Sequence, residues 1–313
     1  VLPSLTVVHK LTTLAASNDI TQIAIDIKET GETVQELRLS HFEQQVLKWL
    51  SAPDPSTNYI NALKRRHEGT GAWFTGGRAF NDWKKQSKSF LWLHGNPGCG
   101  KTVLSSTIIE HLGNVATPDQ VLLYFYFDFS DTNKQTLGNM LRSLVNQLYQ
   151  RQPKTRALLN DLREILEKDY LEEDYPEEDY LEEDYQKLSE QILRDILLLM
   201  LSKVDDVSII LDALDESSTI TDLLAWLRSV LETQSIACRI LVTARRQKDI
   251  ESVLQHWMRP EDSINIHHGG IQEDIRAYIH HMVRNSEELE RWQGLPEVQD
   301  KIETRLMEKS DGM

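Results

Sequence analysis

The sequence predicts an α/β protein, a three-layer sandwich in which helices cover both faces of a five-stranded parallel sheet, preceded by a small helical segment. Three observations point there. From Ser89 onward, five short apolar runs alternate with helical stretches, as in a buried parallel sheet with crossover helices. The first run leads into a G-x-x-x-x-G-K-[ST] stretch and then a helix, the context that defines a phosphate-binding P-loop. A later run ends in a cluster of carboxylates, placed to serve a metal at the same sheet edge. Together these specify the P-loop NTPase version of the sandwich.

Residues 1–57 read as a helical segment and linker. The helical pattern up to about Leu50 is weak and interrupted by Gly31, although Ser40 to Glu43 forms an S-x-x-E capping box beside Phe42, Val46, Leu47 and Leu50. Residues 51–58 carry Pro53, Pro55 and several turn formers, so the chain leaves helix there and the main domain is expected over 58–313. Its strands are expected at Phe90–Leu93, Val121–Phe127, Val207–Leu211, Arg239–Val242 and Ile264–Ile266. Helices between them are expected at Lys101–Leu112, Thr136–Gln150, Leu188–Lys203, Ile220–Thr233 and Ile271–Val283, where apolar residues recur three or four apart.

An insertion at 169–185 stands apart. Asp169-Tyr170-Leu171-Glu172-Glu173 and its following copies repeat every five residues, a period that fits neither helix nor strand. With Pro176 inside and dense like charge, it reads as a solvated insertion between two core helices. The alternative, a docking or tyrosine-phosphorylation tract, has only acidic context to support it.

Much of the formal net charge of -15 belongs to that insertion. The acidity argues against general nucleic-acid binding, which needs clustered positive charge. Cys99 and Cys238 are too few for a disulfide framework or a four-cysteine zinc site, which suits a reducing compartment and a cytoplasmic protein. No apolar run approaches the roughly 18 to 20 residues that span a bilayer. The chain opens on Val1 without a signal peptide, and an N-terminal stretch is expected to precede it.

The motif itself is Gly95-Asn96-Pro97-Gly98-Cys99-Gly100-Lys101-Thr102, followed by Val103. Gly95, Gly98 and Gly100 permit a loop whose amides turn inward around a phosphate, and the following helix adds its positive end. Lys101 supplies a point charge for the β and γ phosphates of ATP or GTP, and Thr102 a hydroxyl for Mg²⁺. The second element is Ser208-Ile209-Ile210-Leu211-Asp212-Ala213-Leu214-Asp215-Glu216. Asp212 is placed to hold Mg²⁺ through its water shell, and Asp215 or Glu216 could orient or deprotonate an attacking water. Alternatively, Asp215, Glu216 and Ser217 are good first-turn residues of a helix. In the third element, Ile240-Leu241-Val242-Thr243-Ala244-Arg245-Arg246, Thr243 and Arg245 could sense the γ-phosphate, with Arg245 stabilising developing charge. The alternative is that both arginines cap helices or pair with surface acids.

With these elements in order, the chain resembles the NACHT branch of the STAND nucleoside triphosphatases, especially fungal proteins with a nephrocystin-type N-terminal nucleotide-binding region. The residues that carry the resemblance are Gly95 to Thr102, Leu211 to Glu216 with a small residue after the first Asp, and Thr243-Ala244-Arg245. Arg66-His67-Glu68-Gly69-Thr70-Gly71-Ala72-Trp73, then Phe80 and Trp83, resembles that family's lead-in. The resemblance implies a purine-nucleotide switch with slow hydrolysis that opens to homo-oligomerise on activation. It also implies a lid, a winged-helix region and effector or ankyrin-type repeat domains outside this fragment, which stops at Lys309-Ser310-Asp311-Gly312-Met313. Ala244 departs from the family's usual Ser before the sensor arginine. The Gly69-Thr70-Gly71 turn could lie near the base or ribose, or be a simple loop with Trp73 as a core anchor. Two rival functions are an assembly scaffold without useful hydrolysis and a P-loop small-molecule kinase, although no arginine-rich lid is visible for the latter.

Weaker signals add little. Cys99 reads as a small loop residue more readily than as a reactive thiol. The adjacent pairs His267-His268 and His280-His281 lack the i, i+4 spacing of a helical metal site. The seven tryptophans are spread widely, as packing residues are.

Overall fold

Strands buried on both faces must be continuous in apolar residues, and β1 (Ser89–His94) is buried at all six positions. The computed structural model describes residues 44, 46–117, 119–161, 190–266 and 270–310. By contacts the chain divides into Val1–Ser51 and Ala52–Met313. In the first unit, residues 46–50 are helical, and the Ser51 amide closes the turn on Leu47 O at 3.1 Å.

The second unit opens with α1 (Ser56–Arg65), a single helical turn at Ala72–Thr75 and α2 (Arg78–Lys85). After β1 come α3 (Lys101–Val115), β2 (Gln120–Tyr126), α4 (Leu137–Arg151) and, beyond helical residues 153–161, α5 (Glu190–Leu201). The chain continues through β3 (Asp206–Asp212), α6 (Ile220–Glu232), β4 (Cys238–Ala244), α7 (Lys248–Leu254) and β5 (Ser263–Asn265). It ends in α8 (Gly270–Asn285) and α9 (Pro296–Ser310). Among the described residues no helix is long and apolar enough to cross a membrane.

All five strands are parallel, in the order β2-β3-β4-β1-β5. From β1 the chain crosses to the far edge, returns through β3 and β4, and then passes to the other side of β1. That reversal opens a crevice at the carboxyl end of β1, where α/β sheets bind ligands. Register aligns the strand ends there, with His94 opposite Ala244 and Tyr126 opposite Asp212.

On one face, Leu91, Leu93, Ile210 and Leu241 join Leu104, Ile108 and Leu112 of α3, together with Phe80 and Trp83 of α2. Truncating one such fully buried leucine to alanine costs about 2–5 kcal/mol. α4 packs against β2, and α5 and α6 pack against α4. The outer edge of β2 is closed by side chains of α4. Gln147 accepts from Tyr124 N at 3.1 Å and donates to Tyr124 O at 2.8 Å, while the Arg151 guanidinium donates to Leu122 O.

The lead-in is fastened to α8. Asp274 accepts from Gly71 N at 2.8 Å and from Trp73 Nε1 at 3.0 Å. A Cβ at Gly270 would lie 2.2 Å from Trp73 Cγ, so only glycine fits at the start of α8. These are the contacts of a loop with Trp73 as its anchor.

The five expected strands and five expected helices are present with shifted ends. α3 runs past Leu112 to Val115, with Gly113 inside its last turn. β5 begins and ends one residue before the expected run, and it pairs only with Trp92–His94 of β1. α1, the Ala72–Thr75 turn, α2, α7, α9 and the helical residues 153–161 are not among the expected elements, and α1 begins at Ser56, within the 51–58 stretch expected to leave helix. The Ser40 to Glu43 capping box, the five-residue repeat and His267-His268 lie outside the described residues.

Candidate functional site at the carboxyl edge of the sheet

Gly95–Thr102 links the end of β1 to the first turn of α3. Gly98 and Gly100 take φ of 79° and 86°, a left-handed backbone that side chains other than glycine adopt only at a cost. Gly100 is the N-cap of α3 and brings no side-chain cap, which leaves the first-turn amides to an anion. Asn96, Pro97 and Gly98 are exposed, whereas Gly95 and Cys99 are buried. Lys101 folds back on the loop, donating through Nζ to Gly95 O at 2.8 Å and Asn96 O at 2.9 Å. Burial pushes the Cys99 thiol up in pKa against the opposing pull of Lys101, which favours a small loop residue over a reactive thiolate. Val103 is half-buried in the first turn of α3, its carbonyl accepting from Thr107 Oγ1 at 3.0 Å.

β3 delivers Asp212, only 2% exposed, to the same edge. Its Oδ2 accepts from Thr102 Oγ1 at 2.7 Å, and its Oδ1 accepts from Ser105 Oγ at 2.6 Å and Thr243 Oγ1 at 2.7 Å. Burial raises the Asp212 pKa, and the Ser105, Thr243 and Thr102 hydroxyls and the Lys101 charge oppose that rise. Thr243 also accepts from Ala213 N at 2.9 Å, so β4 fixes both the carboxylate and the turn after it. Ala213 sits at φ 58° and ψ 50°. A left-handed alanine costs roughly 1–2 kcal/mol, and a bulkier residue more, which gives the small residue at this position a physical reason.

The 3₁₀ turn Leu214–Glu216 separates the next two carboxylates. Asp215 is occupied on both oxygens by one residue, accepting from Arg245 N at 2.9 Å and pairing with Arg245 Nε at 3.1 Å. Glu216 instead accepts through Oε2 from the backbone N–H of Phe129 at 3.0 Å, and its Oε1 lies 4.0 Å from Arg245 Nη2. Burial raises the Glu216 pKa, Asp215 and Asp128 add to the rise, and the Phe129 N–H and Arg245 oppose it. Arg246 turns away to pair with Glu251 of α7 at 2.5 Å.

The residues singled out in sequence therefore lie in one connected network, from Lys101 and Thr102 through Asp212 and Thr243 to Asp215, Glu216 and Arg245. Arg245 pairs with Asp215, whose side chain is only 3% exposed, and so with a member of the network and not with a surface acid. Two members went unread. Ser105 lies one helical turn after Thr102, so its i+3 position on that face was a usable signal. The Phe129 N–H is a backbone donor from the loop after β2 and leaves no mark in sequence.

The donor set fits Mg²⁺ held together with a nucleotide. Thr102 and Asp212 offer two hard oxygens, and Mg²⁺ takes its remaining ligands from phosphate and water. Among the described residues no group of three or more His, Cys, Asp or Glu could hold a metal unaided.

Comparison with known proteins agrees with this geometry. The curated vegetative incompatibility protein HET-E-1 of Podospora anserina is 27% identical over 215 residues, 67% of this chain. The aligned part spans only 15% of that relative's length. The crystal structure of Cdc6p from Pyrobaculum aerophilum shares 13% identity at a TM-score of 0.39, covering 69% of this chain and 48% of that one. A likeness of that size adds nothing to the fold, which rests on the strand order itself. Residues 69–245 match the family described as nephrocystin 3, N-terminal, a stretch that runs from the Gly69 lead-in to Arg245 and takes in the whole network. The chain belongs to the nephrocystin 3 N-terminal family and carries a NACHT-type P-loop NTPase region.

Proposed function

We propose that this protein binds a purine nucleoside triphosphate with Mg²⁺ and hydrolyses it slowly, as a cytoplasmic signalling or assembly switch of the NACHT type. The observation that carries the reading is the Thr102–Asp212 hydrogen bond of 2.7 Å, which joins the phosphate loop to the carboxylate strand. A hydroxyl and a carboxylate in contact at the end of a glycine loop suit Mg²⁺ and phosphate, and no packing need explains burying the carboxylate there.

When bound with the triphosphate, Mg²⁺ supplies charge neutralisation on the phosphate oxygens. Lys101 exchanges the Gly95 and Asn96 carbonyls for phosphate oxygens. Thr102 through its hydroxyl and Asp212 through the water shell would hold Mg²⁺ beside the phosphates. Glu216 is the better water-activating carboxylate, because both oxygens of Asp215 are committed to Arg245 while Glu216 keeps Oε1 without a hydrogen bond shorter than its 4.0 Å approach to Arg245. Asp215 orients Arg245 through its N and Nε, leaving the outer guanidinium nitrogens to stabilise charge on the transferred group.

Titration with fluorescent ATP and GTP analogues plus Mg²⁺, beside Lys101→Ala and timed phosphate release, tests the reading. Binding by the wild type and its loss in the variant are expected; equal binding by both sinks it. The Arg245–Asp215 pair favours one second reading, a nucleotide-dependent oligomerisation scaffold without useful hydrolysis. That scaffold predicts tight binding with no turnover, and phosphate release that Glu216→Gln leaves unchanged.

A further inference from the structure

We infer that Asn58 and Lys134 are positioning residues, which pin the loop after β2 so that the Phe129 N–H holds the Glu216 carboxylate. The inference rests on the reading of Glu216 as the water-activating group.

Lys134 is only 7% exposed, and a buried ammonium is tolerated only where it is well accepted. Its Nζ donates to Asn58 Oδ1 at 2.6 Å and lies 3.6 Å from Asp131 Oδ2. The same Asn58 amide donates through Nδ2 to Asp128 Oδ2 at 3.0 Å. One side chain from α1 therefore bridges the two ends of the loop. Within it, Asp128 N donates to Lys134 O at 3.2 Å, and Ser130 N donates to Asp128 Oδ1 at 2.9 Å. Gln135 Nε2 ties back to Phe129 O at 2.6 Å. Phe129 lies inside this frame and is 72% exposed, so packing does not fix its backbone and the polar frame must.

The frame also grips the other loop. Gln135 O accepts from Ser218 N at 2.8 Å, two residues after Glu216, while Phe129 N reaches Glu216 itself at 3.0 Å. The Glu216 carboxylate and the backbone two residues after it are thus both referenced to the loop that Asn58 and Lys134 hold. Releasing the frame frees Glu216 to take other rotamers and removes the donor that keeps Oε1 turned away from Phe129.

The test combines amide exchange at Phe129 with single-turnover phosphate release in wild type, Asn58→Ala, Lys134→Met, Glu216→Gln and the Asn58→Ala/Glu216→Gln double variant. The Phe129 amide is expected to be protected in wild type and to lose protection in Asn58→Ala. Release is expected to fall about tenfold or more in Asn58→Ala while nucleotide Kd stays within about twofold. In the Glu216→Gln background, Asn58→Ala is expected to have no further effect, because it acts through that carboxylate. Unchanged exchange in both Asn58→Ala and Lys134→Met overturns the inference, and so do effects of Asn58→Ala and Glu216→Gln that multiply. Release untouched by Glu216→Gln sinks the hydrolytic reading instead, and the exchange measurement then still decides whether the frame holds the carboxylate.

Discussion

The phosphate loop and the carboxylate edge meet at one hydrogen bond, Thr102 to Asp212, and are built on opposite plans. The loop is exposed from Asn96 to Gly98 and is held together by Lys101 bonding to its own carbonyls. The edge is buried, with Asp212 accepting from Ser105, Thr102 and Thr243 and Asp215 committed to Arg245. A cation with temporary acceptors can exchange them at little cost, whereas a carboxylate fixed by several donors keeps its geometry. The difference teaches that this site divides its labour, adaptable where phosphate enters and preorganised where charge must be placed.

Four measurements break or sharpen that contrast. The largest effect is expected from Glu216→Gln, which removes the proposed proton acceptor from the rigid side. Single-turnover phosphate release should slow by about 10²–10⁴-fold with binding retained. Lys101→Ala strikes the adaptable side, and loss of its charge-assisted contacts should raise nucleotide Kd about 10- to 100-fold in equilibrium titration. Ser105→Ala leaves Asp212 one donor short. It should cost about 1–3 kcal/mol in denaturant unfolding and weaken Mg²⁺-dependent nucleotide binding while binding in EDTA is little changed. If EDTA and Mg²⁺ binding fall together, Ser105 supports the fold and not the metal side.

The smallest effect is a shift in the pH profile. Burial raises the Glu216 pKa above its ordinary value of 4.5, and the proposed water activation needs the deprotonated form. The acid limb of phosphate release should therefore lie above that value and move higher still in Asn58→Ala, where the Phe129 N–H that lowers it is lost. At Glu216 the protonated form is the better tolerated one, so acidification through this range removes activity without destabilising this group.

The same contrast governs what could be read from sequence. The loop is contiguous, so its glycines, Lys101 and Thr102 declare themselves within eight residues and between two predictable elements. The strands were legible because burial on both faces leaves apolar runs such as Phe90 to Leu93. Their order was not, since β1 pairing with β4 and β5 joins segments far apart in the chain. On the rigid side, the carboxylates were visible but their commitments were not. Nothing local distinguishes Asp215, sealed by Arg245, from Glu216, and the Lys134–Asn58 bond spans 76 residues. Ser105 is the intermediate case, hidden in a helical pattern and recoverable only once Thr102 had been given a direction.

The two α4 side chains over β2 carry a consequence for self-assembly. An open sheet edge is a template on which another chain can add a strand, and long apolar edges aggregate for that reason. Here Gln147 occupies both backbone groups of Tyr124 and Arg151 takes the carbonyl of Leu122. A second copy can extend the sheet there only by displacing an amide and a guanidinium from three backbone groups. Sheet extension at this edge is thus disfavoured.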